Sequence, residues 1–452
     1  MRGNLFGTDG IRSAAGAYPL DTPSLLKLGA AISSLSPASG TGPRVLLARD
    51  TRESGPAIEA QLARGLGRGG AQVFSAGILP TPGLAFLVRE LGFDFGIMIS
   101  ASHNPFGDNG IKVFDHRGEK IPARLENRIS DGVLLGRRLP KAPPRPVASV
   151  PADAYYDFLV RNGSGLVPAP GTYKAGGAPR LAVDCANGAS YRTAPLLFAR
   201  LALDAAVGHA EPDGRNINSG CGSTFPTALQ RLVAANRAVL GLALDGDADR
   251  VIFADERGRI LDGDHALFLI ARHLRRTEPR FNRVVVGTVM SNLGLERALN
   301  RLGIDFRRAD VGDKHVHRLM KRCGAILGGE PSGHVILRHR QTTGDGLLTA
   351  LSFMQALKFF GCDAASVFDQ LPLFPQETLN ISVRRRKDLK SWKALQEASS
   401  RFCGKHGRNA RLLVRYSGTE PLIRVMIEAR DAETIRTHMP IFQSLLENEI
   451  GE

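Results

Sequence analysis

The sequence predicts a multidomain α/β protein with mainly parallel sheets and a smaller α+β domain at its C-terminal end. Three observations carry that reading. The chain has 452 residues, beyond the size at which one hydrophobic core keeps growing, so three or four domains are expected. Short apolar runs repeatedly empty into Gly- or Asp-bearing loops followed by helical patterns, as strand-loop-helix units do. The last part instead alternates apolar and polar residues, in Leu379-Asn380-Ile381-Ser382-Val383 and Leu422-Ile423-Arg424-Val425-Met426-Ile427, the pattern of half-buried strands.

The elements follow in order. The run at 44–48 leads into Arg49-Asp50-Thr51-Arg52, Leu181-Ala182-Val183 into Asp184-Cys185-Ala186-Asn187-Gly188, and Val284-Val285-Val286 into Gly287-Thr288-Val289-Met290-Ser291-Asn292. Gly65-Leu66-Gly67-Arg68-Gly69-Gly70 matches G-x-G-x-x-G. A dinucleotide fingerprint must follow a strand and open a helix, whereas here a helical pattern over 57–66 precedes it, so these glycines read as a helix C-terminus. The proline-rich Leu139-Pro140-Lys141-Ala142-Pro143-Pro144-Arg145-Pro146 cannot sit in a helix or central strand and ends a first domain, set at 1–152. A turn at Asp255-Glu256-Arg257-Gly258 closes a second at 153–256. The break at Leu371-Pro372-Leu373-Phe374-Pro375 separates a third, 257–371, from the fourth, 372–452.

Composition narrows the function classes. The 59 Lys and Arg exceed the 44 Asp and Glu, for a net charge of +15. A nucleic-acid binder would gather such charge into a stripe with aromatic residues for stacking. Here the arginines are dispersed, and one Trp and six Tyr are available, so an anionic small molecule is the expected partner, with no nucleic acid and no membrane. The start, MRGNLFGTDGIR, has no apolar h-region, and a cytoplasmic location is expected. Five scattered cysteines with no C-x-x-C pair fit a reducing compartment and argue against structural zinc.

Five constellations carry chemistry. In Ile97-Met98-Ile99-Ser100-Ala101-Ser102-His103-Asn104-Pro105 an apolar strand empties into small and polar residues. Ser102 reads as a covalent nucleophile, and the stretch reads equally as a turn stabilised by Ser, Asn and Pro. Asp245-Gly246-Asp247-Ala248-Asp249-Arg250 places three carboxylates at alternate positions after an apolar run. Their repulsion calls for a divalent cation, and oxygen ligands suit Mg²⁺. An EF-hand is excluded because Arg250 stands where the Ca²⁺ loop needs Gly and both flanks read as strands, which leaves a plain acidic turn as the alternative. Gly328-Gly329-Glu330-Pro331-Ser332-Gly333-His334 can present directional groups to sugar hydroxyls, or is a polar turn. Arg415-Tyr416-Ser417-Gly418-Thr419-Glu420-Pro421 with Arg424 suits a phosphate cradle, or an Arg-capped turn. Phe6-Gly7-Thr8-Asp9-Gly10-Ile11-Arg12 brings one cation on a Gly-rich opening that alone reads as a frayed terminus.

In this order and together, these segments resemble the α-D-phosphohexomutase family over essentially the whole chain. Asp108-Asn109-Gly110-Ile111-Lys112, Asp213-Gly214-Arg215-Asn216-Ile217-Asn218, Cys221-Gly222-Ser223-Thr224 and Gly287-Thr288-Val289-Met290-Ser291-Asn292-Leu293-Gly294 are most similar to its branch acting on glucosamine phosphates. The resemblance implies four domains around a central cleft, three related α/β domains with mixed sheets and a smaller, mobile α+β domain. In turn they would carry the phosphoserine loop, the metal loop, the sugar-recognition loop and a phosphate-binding site. It implies interconversion of glucosamine 6-phosphate and 1-phosphate through a phosphoserine enzyme, supplying UDP-N-acetylglucosamine and cell-wall synthesis. Glucose or mannose phosphates are the alternative substrates. A serine phosphatase and a nucleic-acid-binding protein are more distant ones.

The resemblance also assigns roles. Ser102 would carry the phosphoryl group and, with Asp245, Asp247 and Asp249, hold one Mg²⁺. Arg12, His103 and Arg250 would stabilise charge. Lys112 would move the hydroxyl proton, its pKa lowered by desolvation and the metal. Glu330, Ser332 and His334 would read the sugar, and Arg415, Ser417, Gly418, Thr419 and Arg424 would clamp the unreacting phosphate. A sugar 1,6-bisphosphate would serve as activator and intermediate. A homodimer is compatible with the sequence and not determined by it. Ser13, Pro331 and Lys314-His315 depart from the branch's usual Gly, Gln and Arg-Tyr.

Overall fold

The computed structural model describes residues 4–35, 42–135, 147–166, 180–417 and 421–451. The proline-rich linker at 139–146 lies outside the described residues. In the first sheet β1 (Ile11–Ala14), β2 (Arg44–Arg49), β3 (Gln72–Ile78), β4 (Phe95–Ile99), β5 (Asp108–Asp115) and β6 (Ala148–Ser149) take the order β1-β5-β4-β2-β3-β6. The second has β7 (Leu181–Asp184), β8 (Ala205–Gly208), β9 (Leu240–Leu244), β10 (Val251–Asp255) and β11 (Ile260–Leu261) in the order β11-β10-β9-β7-β8. The third has β12 (Val284–Thr288), β13 (Asp305–Ala309), β14 (Leu327–Gly329) and β15 (Val335–Leu337) in the order β13-β12-β14-β15. The fourth, β16 (Gln376–Ser382), β17 (Ala410–Tyr416) and β18 (Leu422–Ala429), is antiparallel throughout with β18 central.

The first three sheets are mixed, where strand-loop-helix recurrence alone suggested mainly parallel pairing. β2 is parallel to β3 and β4, but β5 returns antiparallel to β4. The segment at 100–107 between them is too short for the crossover that a parallel return needs. The same holds between β9 and β10, and between β14 and β15. Both short returns that matter most carry chemistry: one holds Ser102, the other the carboxylate triplet.

Every residue of β4 and of β9 is buried, as expected for continuous apolar runs covered on both faces. The buried strands anchor the loops at their ends. Helices Thr22–Ser33 and Gly55–Arg68 cover the first sheet, packing through glycine. A Cβ on Gly65 would lie 2.3 Å from the Leu26 carbonyl oxygen, and one on Gly29 would lie 2.6 Å from that of Leu62. The helix thus runs through Gly65 and Gly67, and the predicted terminus falls at Gly69 and Gly70. No helix among the described residues is long and apolar enough to cross a membrane.

The chain separates into two compact units, residues 1–288 with 304–369, and residues 289–303 with 370–452. Within the second, Arg411 donates to the carbonyls of Val289 and Ser291 at 2.8 and 3.0 Å. It also pairs with the fully buried Glu428 at 2.6 Å, and Glu428 accepts from Leu293 N at 2.6 Å. Helices Lys393–His406 and Ala432–Ile450 bury the apolar face of the fourth sheet, around Phe402, Ile423, Val425, Ile427 and Phe442.

Candidate active site

β4 delivers Ser100, Ala101 and Ser102 as buried residues at its C-terminal end, where open α/β sheets place ligands. Ser102 has φ +52, a left-handed conformation that costs a non-glycine residue of order 1 kcal/mol or more and persists when its surroundings enforce it. The surroundings do so. Ser102 N donates to Ser100 Oγ at 2.9 Å, and Ser100 Oγ to Asp50 Oδ2 at 2.7 Å. The Ser102 carbonyl accepts from Arg52 Nη2 at 3.0 Å and Asn218 Nδ2 at 2.9 Å. Arg52, fully buried and paired with Asp50, also donates to the carbonyls of Asn104, Pro105 and Asp108. The Ser102 side chain is thereby aimed so that its Oγ donates to Asp245 Oδ2 at 2.6 Å.

β9 delivers the carboxylates. Asp245, Asp247 and Asp249 offer oxygens lying within 4.8 Å of one another, all three residues buried. Among the described residues, Asp247 Oδ1 and Asp249 Oδ1 are buried without a hydrogen-bond partner; the latter has His334 Nδ1 at 3.5 Å and Arg250 Nε at 3.7 Å. Orphaned anionic oxygens in a dry site are costly unless a cation meets them, so the set fits a hard divalent metal with oxygen ligands. The Asp245 carboxyl is pushed well above its usual pKa by burial and by the charges of Asp249 and Asp247, the electrostatic mark of a site short of positive charge.

Lys112, on β5, reaches the other oxygens of two of these carboxylates and Asp9: Nζ lies 2.8 Å from Asp247 Oδ2, 3.3 Å from Asp249 Oδ2 and 3.3 Å from Asp9 Oδ2. The lowered Lys112 pKa is expected with a metal bound, and the chain's own carboxylates act in the opposite direction. Burial pulls it down, but Asp247, Asp9 and Asp249 outweigh burial and hold the ammonium well above its usual value. Burial, Arg250 and Arg12 lower His103 to about 4, which makes it a neutral imidazole at neutral pH, with Nδ1 at 3.4 Å from Ser102 Oγ. Arg12 donates to the Ala101 carbonyl and pairs with Asp9 at 2.5 Å. Arg250, anchored by its backbone N to Asp245 Oδ1 at 3.2 Å, is raised because Asp249 and Asp245 overcome its burial.

The third loop does not present its polar groups alike. Ser332 is exposed, and Glu330 uses Oε1 to accept from Gly312 N at 2.9 Å, at the start of helix Asp313–Cys323. His334 is turned inward, 3% exposed in its side chain, between Asp249 and Gly344 N, which donates to Nε2 at 3.1 Å. The ring thus sits against Asp249, one of the three clustered carboxylates. Lys314 and His315 line a cavity of about 690 Å³ that also takes in Gly7, Thr8 and Lys120.

In the second unit, Arg415 on β17 stands directly opposite Arg424 on β18, and Asn380 on β16 is on Arg424's other side. Like charges paired across strands repel. Burial and Arg424 both lower the Arg415 guanidinium, and the two arginines share a cavity of about 190 Å³ with Thr378 and Asn380. Buried Ser417 lies just beyond β17; Gly418 and Thr419 lie outside the described residues.

Several neighbours escaped sequence reasoning. Thr81 Oγ1 donates to Asp247 Oδ2 at 2.5 Å. Lys120 bridges Asp9 and Asp313, and Arg52 and Asn218 grip the Ser102 loop. The available signals were Arg49-Asp50-Thr51-Arg52, a polar cluster at a strand end, and the polar segment 213–218 that ends in Asn218.

Comparison with known proteins accounts for all four segments. Models of the phosphoglucomutase/phosphomannomutase α/β/α domains I, II and III match residues 3–135, 154–258 and 262–373, and that of the C-terminal domain matches 379–439. A phosphoglucosamine mutase of Solibacter usitatus is 43% identical over 452 residues, covering all of both chains. A phosphoglucomutase/phosphomannomutase family protein of Burkholderia thailandensis has a similar fold, with TM-score 0.79, 24% identity and 99% of each chain covered. So has an Aspergillus fumigatus N-acetylphosphoglucosamine mutase solved with GlcNAc-6P and magnesium, with TM-score 0.66, 18% identity, and 98% of this chain and 95% of that one covered. A buried serine aimed at a carboxylate triplet, a separate paired-arginine site and full-length matches in all four domains lead to one conclusion: the chain is an enzyme of the phosphoglucomutase/phosphomannomutase family, the α-D-phosphohexomutases.

Proposed function

We propose that this enzyme interconverts glucosamine 6-phosphate and glucosamine 1-phosphate through a phosphorylated Ser102, with Mg²⁺ on Asp245, Asp247 and Asp249 and a glucosamine 1,6-bisphosphate intermediate. The observation that carries the reading is the 2.6 Å hydrogen bond from the conformationally constrained Ser102 Oγ to Asp245, beside two carboxylate oxygens with no hydrogen-bond partner among the described residues. The glucosamine preference is supported by the full-length likeness to a phosphoglucosamine mutase.

When bound, the cation neutralises charge on the transferring phosphoryl group, which carries most of the difficulty of such reactions. The chain's residues do the rest. As a sugar phosphate loads the enzyme, the bond from phosphorus to the sugar oxygen breaks and one to Ser102 Oγ forms. The Ser102 proton passes to Asp245 Oδ2, its acceptor in the resting enzyme. The Lys112 ammonium protonates the departing sugar oxygen, and in the reverse direction neutral Lys112 takes that proton back. Arg12 and Arg250 offset the phosphoryl charge, and neutral His103 orients the serine oxygen. Glu330 and Ser332 bind sugar hydroxyls, and Arg415, Ser417 and Arg424, with Gly418 and Thr419, hold the phosphate that is not reacting. The five free cysteines favour a reducing cytoplasm as the place of action.

The test is ³¹P NMR of the full chain with Mg²⁺ and a trace of sugar bisphosphate, offered glucosamine, glucose and mannose 1-phosphates in turn. Glucosamine 1-phosphate should be converted with the highest kcat/KM, and Ser102→Ala should abolish conversion. Faster turnover of glucose or mannose phosphate would overturn the sugar assignment, and full activity in Ser102→Ala would overturn the mechanism.

A further inference from the structure

A second cluster of metal-ligating side chains lies in the second sheet, outside the phosphoryl-transfer machinery. We propose that Asp184, His209 and Cys221 form a binding site for a transition-metal dication of the zinc class, distinct from the all-oxygen Asp245, Asp247 and Asp249 site.

The topology builds it. Parallel strands β7 and β8 pair Asp184 with Gly208, so Asp184 and His209, the residue that follows β8, emerge side by side at the C-terminal edge where such sheets bind ligands. His209 Nδ1 is 3.1 Å from Asp184 Oδ1. Cys221 is brought in by Gly222, which has φ +78; a Cβ there would lie 2.7 Å from the Ala186 Cβ and 2.8 Å from the Leu244 carbonyl oxygen. Only glycine permits that approach.

The donor atoms of the three residues lie within 4.8 Å of one another. A tetrahedral site with bonds of about 2.0–2.3 Å separates its ligands by about 3.3–3.8 Å, so small side-chain shifts complete the set. Sulfur, imidazole and carboxylate together suit zinc-class metals and not Mg²⁺. Asp184 and Cys221 are buried and the His209 side chain is 37% exposed, which leaves an entry path and a fourth position for water. The ligands are also held from behind. Asp184 Oδ1 accepts from Ala186 N at 2.9 Å and Oδ2 from Gly222 N at 2.8 Å, while Asn187 Nδ2 is 3.9 Å from Cys221 Sγ, the kind of outer support that orients metal ligands.

Binding displaces the Cys221 thiol proton to solvent, and His209 binds through Nδ1 as a neutral imidazole protonated at Nε2. The ligands stand at 184, 209 and 221, each from a different loop, so the absence of a C-x-x-C pair said nothing about them. The same loops touch the catalytic segments: Ala189 N donates to the Gly246 carbonyl at 2.8 Å, and Asn218 N to that of Ala186 at 2.9 Å. Metal at this site therefore ties together the supports of both reactive loops and should raise thermal stability.

The full-length protein, in excess Mg²⁺, is titrated with Co²⁺ and followed by near-ultraviolet thiolate-to-cobalt charge-transfer absorption, with Zn²⁺ competing. The expected result is about one equivalent bound, displaced by Zn²⁺. The band should vanish in Cys221→Ser and weaken at least about tenfold in affinity in His209→Ala, whose mutase activity with Mg²⁺ is unchanged and reports an intact fold. It should persist in Cys185→Ser and in Asp247→Asn. No band in the wild-type protein, a band retained in Cys221→Ser, or one lost in Asp247→Asn would overturn the proposal.

Discussion

Arg52 Nη2 donates to the Ser102 carbonyl oxygen at 3.0 Å, from a side chain with no solvent exposure, while its Nε pairs with Asp50 Oδ2 at 2.9 Å. One planar fork thus fixes the backbone on which Ser102, the proposed phosphoryl carrier, sits, by gripping four carbonyls of the 102–108 segment. Lysine carries the charge but not the fork.

Arg52→Lys should lower kcat by about 10- to 100-fold, the scale of a small misplacement of reacting groups, with KM little changed. Arg52→Met should instead leave the buried Asp50 without its cation and cost about 3–5 kcal/mol of stability. Steady-state kinetics and urea denaturation separate the two effects.

Asp245 is the residue where function and stability oppose each other. Because its folded pKa is raised by burial, Asp249 and Asp247, the folded chain holds its proton more tightly than the unfolded chain. Stability from this group falls as pH rises through that pKa, and at neutral pH it is a penalty. Asp245→Asn should therefore melt higher than wild type without metal, gain less on adding Mg²⁺, and lose at least about a hundredfold in mutase rate. Thermal melts with and without Mg²⁺ test this.

His103 gives a pH signature of opposite kind. With a folded value of about 4 against an ordinary 6.5, the unfolded chain binds a proton that the folded chain refuses, so stability drops as pH falls from about 6.5 towards 4. His103→Asn should flatten that part of the stability profile. Equal slopes in denaturation series at pH 7 and pH 5 for both proteins would refute the assignment.

Arg415 and Arg424 face each other across β17 and β18. Arg415→Ala should raise KM for the hexose phosphate at least about tenfold, the scale of one lost charge-assisted phosphate contact. It should not lower the melting temperature, because a cross-strand repulsion is removed along with the ligand contact.

Much of the fold was legible because apolar strands, prolines and loop residues act locally. The apolar runs at 97–99 and 239–244 announced strands, and what followed each announced a candidate site. The mixed pairing was less legible, since strand direction depends on the length of the return and not on the strand's own residues. The contact between His334 and Asp249 was not legible for a related reason: it depends on Gly344 packing closely against the ring, which no local pattern announces.

By itself the sequence determined which chemical groups stand at which strand ends: a serine after one, three alternating carboxylates after another, arginines on an alternating strand. Those arrangements lie within a few residues, and backbone periodicity sets them. Only the tertiary structure decided the partners and the charges. Ser102 meets Asp245, Lys112 meets Asp247 and Lys120 meets Asp313 across more than a hundred residues of chain. Whether His103 is neutral or Lys112 charged depends on burial and on Coulomb terms that fall with distance in space, which no spacing along the chain encodes.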